Sequence, residues 1–258
     1  MNSVLSLLRL ALGAVVFLAG SFVFVLVALP LLPWRVARIK ACNLYGKIVG
    51  RSIVFLAGAT PNVTNASRLD SKRPAIYVAN HASTLDLFLC IWLCPFGGCG
   101  VMKKQMLRLP IFGQLAWLSG HLMLDRENKD RAIEALRSTG EFVKQHGLSI
   151  WIMPEGTRSK DGRLQPLKKG FVHLAIATGL PVVPVVIHGA HRNWKMNEFG
   201  FTPMTLDVDV KEPIDTSSWR EETASEHAAS VHARFALWLR EDQRPLPAAP
   251  VSAAAKVA

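Results

Sequence analysis

Seven residues, Asn80-His81-Ala82-Ser83-Thr84-Leu85-Asp86, set an imidazole and a carboxylate five positions apart. An apolar run precedes them and another follows, so the pair falls on a strand-to-helix turn. An imidazole titrates near pH ~6.5 and can accept a proton at neutral pH. A carboxylate one helical turn away can fix its tautomer and stabilise the imidazolium that forms, the arrangement of a general base with its orienting acid. Helix capping competes with this reading. Ser83-x-x-Asp86 ahead of Leu87-Phe88-Leu89 has the form of a capping box with Asp in place of Glu. Capping accounts for Ser83 and Asp86 and leaves His81 without a purpose.

A second stretch, Met153-Pro154-Glu155-Gly156-Thr157-Arg158-Ser159, also follows an apolar run. Gly156 permits a tight turn, Thr157, Arg158 and Ser159 supply donors, and a guanidinium such as Arg158 grips a phosphate through two nitrogens. An ordinary charged turn is the plain alternative. The third stretch runs from Lys103-Lys104 through Leu109-Pro110-Ile111-Phe112-Gly113 to Asp125-Arg126. Two lysines before so apolar a segment could join an anion site to a greasy surface, or could be a basic turn before core. The fourth, Leu180-Pro181-Val182-Val183-Pro184-Val185-Val186, reads as a buried strand that Pro184 demotes to an edge or a bulge.

The elements that must hold these stretches alternate. Strands are expected over 75–79, 100–103, 121–124, 149–153, 182–187 and 205–210, and helices over 85–93, 130–145, 170–178 and 220–240. Helix 130–145 sets Ile133, Leu136, Phe142 and Val143 on one face. The alternation predicts an α/β fold, with a mixed, mostly parallel sheet flanked by helices.

Ahead of this domain, 20 residues from Leu10 to Leu29 carry no charge, enough for a helix about 30 Å long that matches the hydrocarbon thickness. Pro30 and Pro33 end it. Residues 35–60 interleave basic and apolar side chains, an amphipathic pattern suited to a membrane surface. Together they predict an N-terminal membrane-embedded two-helix segment over 1–60, then a catalytic domain over 61–244 and a disordered Pro/Ala-rich tail over 245–258. The first helix could span once, or both could dip in as a hairpin from one side.

Of the net charge of +11 across 258 residues, +6 lies in residues 1–60, which hold no acid. Basic charge beside an apolar helix suits anionic membrane lipids and a cytoplasmic orientation. A nucleic-acid binder would instead carry a basic stripe with interleaved aromatics in the folded domain, and none is evident. The four cysteines form no C-x-x-C pair, which argues against a zinc site.

The four stretches, in this order, closely resemble the motifs of the glycerolipid acyltransferases, and within them the bacterial 1-acyl-glycerol-3-phosphate acyltransferases. The match covers about residues 70–190, with Met153 where that family usually has Phe. The resemblance implies transfer of a fatty acyl group from acyl carrier protein or coenzyme A to the sn-2 hydroxyl of a lysophospholipid, giving phosphatidic acid. His81 would be the base and Asp86 its orienter. Arg158 and Arg126 would hold the phosphate, with Glu155, Gly156 and Thr157 shaping the loop. Lys104 or backbone N–H groups would meet the oxyanion. No metal or cofactor is implied, because a thioester is already activated. The setting implied is the inner, cytoplasmic membrane with the catalytic domain on its cytoplasmic face.

Three alternatives compete. One is the same chemistry on another lysolipid, such as an amino-acid-containing one. A membrane-bound thioesterase would want a Gly-x-Ser-x-Gly elbow, which is absent. A metal site at His188-Gly-Ala-His191 lacks a third ligand in the sequence around it.

Overall fold

The computed structural model describes residues 3–70, 72–124, 129–195, 198 and 200–246. The uncharged run and its N-terminal flank form α1 (Ser3–Ala28). Among the described residues it is the one helix long and apolar enough to cross a membrane, and only 11% of its apolar stretch is buried against protein. Leu12, Leu18, Phe22 and Leu26 stand exposed along it. After a turn holding Pro30 and Pro33, the chain continues through α2 (Arg35–Tyr45), a π-helical turn (Gly46–Gly50) and α3 (Arg51–Leu56). These three make one near-continuous rod, as the amphipathic pattern over 35–60 predicts. Its last residues differ, because Ala59 already opens β1 (Ala59–Thr64).

The rest alternates: β2 (Ile76–Ala79), α4 (Leu85–Leu93), β3 (Gly98–Lys103), α5 (Phe112–Leu118), β4 (Leu122–Leu124), α6 (Lys129–Gln145), β5 (Ser149–Ile152), α7 (Gly170–Thr178), β6 (Val182–Ile187), α8 (Ala190–Asn193), β7 (Met204–Val210) and α9 (Ala224–Trp238). The expected strands and helices are all present, and β1, α5 and α8 are additions. Of the tail, residues 247–258 lie outside the described residues.

Seven strands form one sheet in the order β1-β7-β6-β2-β5-β3-β4, parallel throughout except where β6 meets β7. Alternate residues of the central strands feed two cores. Ile76, Val78, Ile150 and Val186 face one in which Phe171, Leu174 and Phe235 pack from α7 and α9. Tyr77, Trp151, Val183 and Val185 face the other, with Leu85 and Leu89 from α4 and Val54 from α3.

Two placements differ from expectation or go beyond it. Strand β6 is central, so of the two readings of Pro184 the edge fails and the bulge holds. Its pairing with β7 runs from Val185↔Val210 to Ile187↔Val208, and a separate bridge joins Val182 to Ile214. Three residue steps on β6 thus oppose four on its neighbour, and Pro184, which has no N–H to give, sits in that irregular stretch. The other placement is the rod's docking on α4. A Cβ on Gly46 would lie 2.6 Å from the Ile91 carbonyl oxygen, and one on Gly50 would lie 2.6 Å from that of Phe88. Glycine at i and i+4 lets the two backbones touch, which fixes the N-terminal segment to the helix that carries Asp86.

Candidate active site

Strands β2 and β5 are neighbours, but their chains leave by opposite faces, β2 through α4 and β5 through α7. In open α/β sheets the crevice beyond such strand ends is where ligands bind. The first two motifs occupy it.

At the end of β2, the Asn80 side chain acts as a piece of backbone. It accepts the Ile187 N–H at 2.8 Å and donates to the Ile187 carbonyl at 3.0 Å, tying the turn to β6. His81 follows, with Nδ1 3.2 Å from Asp86 Oδ2. That oxygen also accepts the N–H groups of Ala82 at 2.6 Å and Ser83 at 2.7 Å. Asp86 is 1% exposed and His81 18%. A carboxylate only accepts, so the pairing requires hydrogen on Nδ1 and leaves Nε2 with its lone pair. Capping and catalytic geometry therefore coexist. Asp86 closes half of the capping box on the Ser83 N–H, while Ser83 Oγ accepts from Leu85 N–H and donates to the Trp194 carbonyl.

The second motif braces the first. Glu155 is buried and does not line the cavity. Its Oε1 accepts the His81 N–H at 2.6 Å and its Oε2 the Gln165 N–H at 2.9 Å. Burial pushes its carboxyl up to about 8, against the pull of these two amides. The carboxyl group turns inward because two backbone donors converge there. Ser159 N–H donates to the His81 carbonyl at 2.9 Å, so the His81 backbone is held on both sides. Gly156, at φ +72°, makes the reversal that an L side chain resists. Beyond it Arg158 is exposed and donates from Nη1 to Thr84 Oγ1.

A cavity of about 670 Å³ opens here. His81, Thr84, Gly156, Thr157 and Arg158 line its polar end. It runs on between Leu87, Ile91, Met102 and Trp151 to a far wall with Cys42, Cys94 and His121. At that wall His121 Nδ1 accepts the Gly100 N–H at 3.3 Å, so Nε2 carries the hydrogen toward Cys42 Sγ at 3.5 Å. Burial, helped by the charge of Arg35, lowers the His121 pKa to about 4, and the ring is neutral at pH 7. Burial likewise pushes the thiols of Cys94 and Cys99 up. A slot with donors and a base at one end and uncharged walls beyond suits a polar head joined to an alkyl chain.

Of the expected site residues, the fold thus brings His81, Asp86, Gly156, Thr157 and Arg158 together. Glu155 is a brace behind them. Lys103 lines the cavity, while Lys104 is exposed at the start of the 3₁₀ turn Lys104–Arg108, outside that lining. Arg126 lies outside the described residues. The two histidines once weighed as metal ligands turn to different partners, His188 to Asp209 and His191 to Asp242. Asn80 and Thr84 sit inside the first motif yet drew no role from spacing. The signal for Asn80 was a side-chain amide at a strand end, able to substitute for ladder hydrogen bonds.

Residues 60–188 match the acyltransferase family model. A coconut (Cocos nucifera) 1-acyl-sn-glycerol-3-phosphate acyltransferase is 40% identical over 94% of this chain and 78% of its own length. The Escherichia coli enzyme of the same name is 33% identical over 72% of this chain and 74% of its own. The crystal structure of the Thermotoga maritima 1-acyl-sn-glycerophosphate acyltransferase aligns with a TM-score of 0.66 at 27% identity, covering 89% of this chain and 92% of that one.

Proposed function

The chain belongs to the acyltransferase family, and from that premise we propose that it moves a fatty acyl group from a thioester donor to the sn-2 hydroxyl of 1-acyl-glycerol-3-phosphate, giving phosphatidic acid. The observation that carries the reading is His81, bound at Nδ1 to a buried Asp86 and lining a cavity that is polar at its mouth and apolar within.

His81 Nε2 takes the hydroxyl proton as that oxygen attacks the thioester carbonyl. Asp86 stabilises the imidazolium, which then returns the proton to the departing thiolate. Charge appears on the carbonyl oxygen at the tetrahedral stage, beside the Gly156–Thr157 backbone and Lys103 at the cavity wall. Arg158 holds the acceptor phosphate at the mouth, and the donor chain lies along the apolar walls. Acyl carrier protein and coenzyme A both present the thioester this chemistry needs.

The membrane supplies the acceptor. Leu10 packs against the second core while most of α1 is exposed, so the helix runs along the domain. That supports a hairpin anchor entering from one side. Lys40, Lys47 and Arg51 are exposed on the rod and suit anionic headgroups on the cytoplasmic face of the inner membrane. Arg35 and Arg38 serve packing instead, donating to the carbonyls of Gly120, Trp117 and Leu118.

The test is turnover of palmitoyl-coenzyme A in lysophosphatidic acid micelles. Thiol release should match phosphatidic acid formed and need the lysolipid. His81→Ala should lower it by roughly 10²–10⁴-fold, the usual worth of general-base transfer. Thiol release without lysolipid would make the protein a thioesterase, and turnover of an amino-acid lysolipid alone would move the acceptor.

A further inference from the structure

We infer that Gln243 is a positioning residue for His81, acting from a C-terminal stretch in which the sequence shows no motif. The inference rests on the reading of His81 as the base. Gln243 ends the 3₁₀ turn Glu241–Gln243 after α9 and is 1% exposed. A glutamine buried so completely must find partners for both ends of its amide. Its Oε1 accepts the Gly189 N–H at 2.8 Å, and its Nε2 donates to the Ile187 carbonyl at 3.2 Å. Its own carbonyl accepts the Leu164 N–H at 2.9 Å.

Two of these contacts lead to the same place. The Ile187 carbonyl also accepts from Asn80, the residue before His81, so two side-chain amides share that oxygen. Leu164 precedes Gln165, whose N–H binds Glu155, whose other oxygen holds the His81 N–H. Gln243 thus stands where two hydrogen-bond routes to the His81 backbone meet, one through β6 and one through the loop after β5. The segment itself is clipped by other groups. Arg240 reaches Asp207 at 2.5 Å, Arg192 reaches Asp242 at 2.5 Å, and Arg163 Nη1 donates to the Arg244 carbonyl at 2.8 Å. The backbone N–H of Arg192 donates to the Gly189 carbonyl at 2.9 Å, but none of those side-chain clips hydrogen-bonds to Ile187 or to the Gly189 N–H. The Gln243 amide does, and it aligns the end of β6 beneath the turn that aims the imidazole.

The experiment compares Gln243→Ala and Gln243→Glu in the full-length protein, with palmitoyl-coenzyme A and lysophosphatidic acid as substrates. The glutamate variant keeps the shape and the acceptor for Gly189 and, when ionised, sets a carboxylate oxygen against the Ile187 carbonyl in place of the donor. It decides the matter if the alanine variant does not fold. Rates are normalised to folded protein by circular dichroism and gel filtration. Positioning predicts that kcat per folded molecule drops about tenfold or more, since small misplacements of a base are costly. KM for both substrates stays within about twofold. Combined with Asn80→Ser, Gln243→Ala should add little, because both act on one carbonyl. A purely structural role would leave kcat per folded molecule near wild type, and an effect independent of the Ile187 carbonyl would multiply with that of Asn80→Ser; either result overturns the proposal. His81→Ala runs alongside. If it stays active, the base assignment falls, and if it is dead while both Gln243 variants match wild type, the positioning role alone falls.

Discussion

Two histidine–aspartate pairs lie on this sheet at the same separation, His81 Nδ1 to Asp86 Oδ2 and His188 Nε2 to Asp209 Oδ2, each 3.2 Å. They differ in everything around that contact. Asp86 is 1% exposed and receives two backbone N–H groups, so its charge is held by fixed dipoles. Asp209 is 27% exposed and shares its oxygen with Lys211 Nζ at 3.0 Å, so a lysine cation already neutralises it. The second nitrogen of His81 is left for the cavity, whereas Nδ1 of His188 is buried with no hydrogen-bond partner among the described residues. A carboxylate beside an imidazole is thus not enough to make a base. The carboxylate must be fixed from behind, and the far nitrogen must face a space that a hydroxyl can enter.

The sharpest way to break this contrast is to neutralise both carboxylates. Asp86→Asn takes the anion from behind the imidazolium and puts a donor where a donor already points. We expect kcat to fall by about 10²–10⁴-fold, as when the orienting acid of a triad is lost. Asp209→Asn should leave kcat within a few-fold of wild type. Acyl-transfer rates of the two variants, each checked for folding, decide it. Equal losses would mean that His188 also belongs to the working site.

Much of this was legible in the sequence, and the failures have physical causes. Helices 85–93 and 170–178 and strand 182–187 were read to the residue, because their apolar runs are bounded by Gly, Pro or polar turns. Strand β1 was not, since Ala-Thr-Pro-Asn-Val-Thr is polar and carries Pro61, as an edge strand can. The His81–Asp86 contact followed from spacing. The role of Glu155 did not, because no spacing tells whether a carboxylate beside Gly-Thr-Arg turns out to a phosphate or in to two amides. Lys103 and Lys104 were told apart only by the strand, whose end places one at the cavity and the other outside it. Gln243 is isolated in sequence from everything it holds.

A smaller effect sharpens the contrast at the mouth of the cavity. Arg158 is exposed and touches Thr84 rather than the His–Asp pair. Arg158→Ala should therefore spare the chemical step and raise KM for lysophosphatidic acid by about tenfold, as loss of one charge-assisted contact allows. KM for the acyl donor should move by less than about twofold. Steady-state kinetics with each substrate varied in turn test this, and equal rises in both constants would remove Arg158 from the phosphate site.

The smallest effect compares the two histidines that end the cavity. His81 must gain and lose a proton, whereas His121, walled in beside Arg35 and fixed by Gly100, is held neutral with a pKa of about 4. An unfolded chain would bind that proton near pH ~6.5. The folded state therefore takes up the proton less readily than the unfolded one between those values. Its contribution to stability is complete above about pH 6.5 and is lost as pH falls toward 4. His121→Phe removes the titration, so its melting temperature should fall less between pH 7 and 5 than that of wild type. The carboxylates titrate in both proteins and cancel in the difference. Identical slopes would place a charge-tolerant, hydrated imidazole at the far wall, and the apolar end of the cavity would then be no place for an alkyl chain.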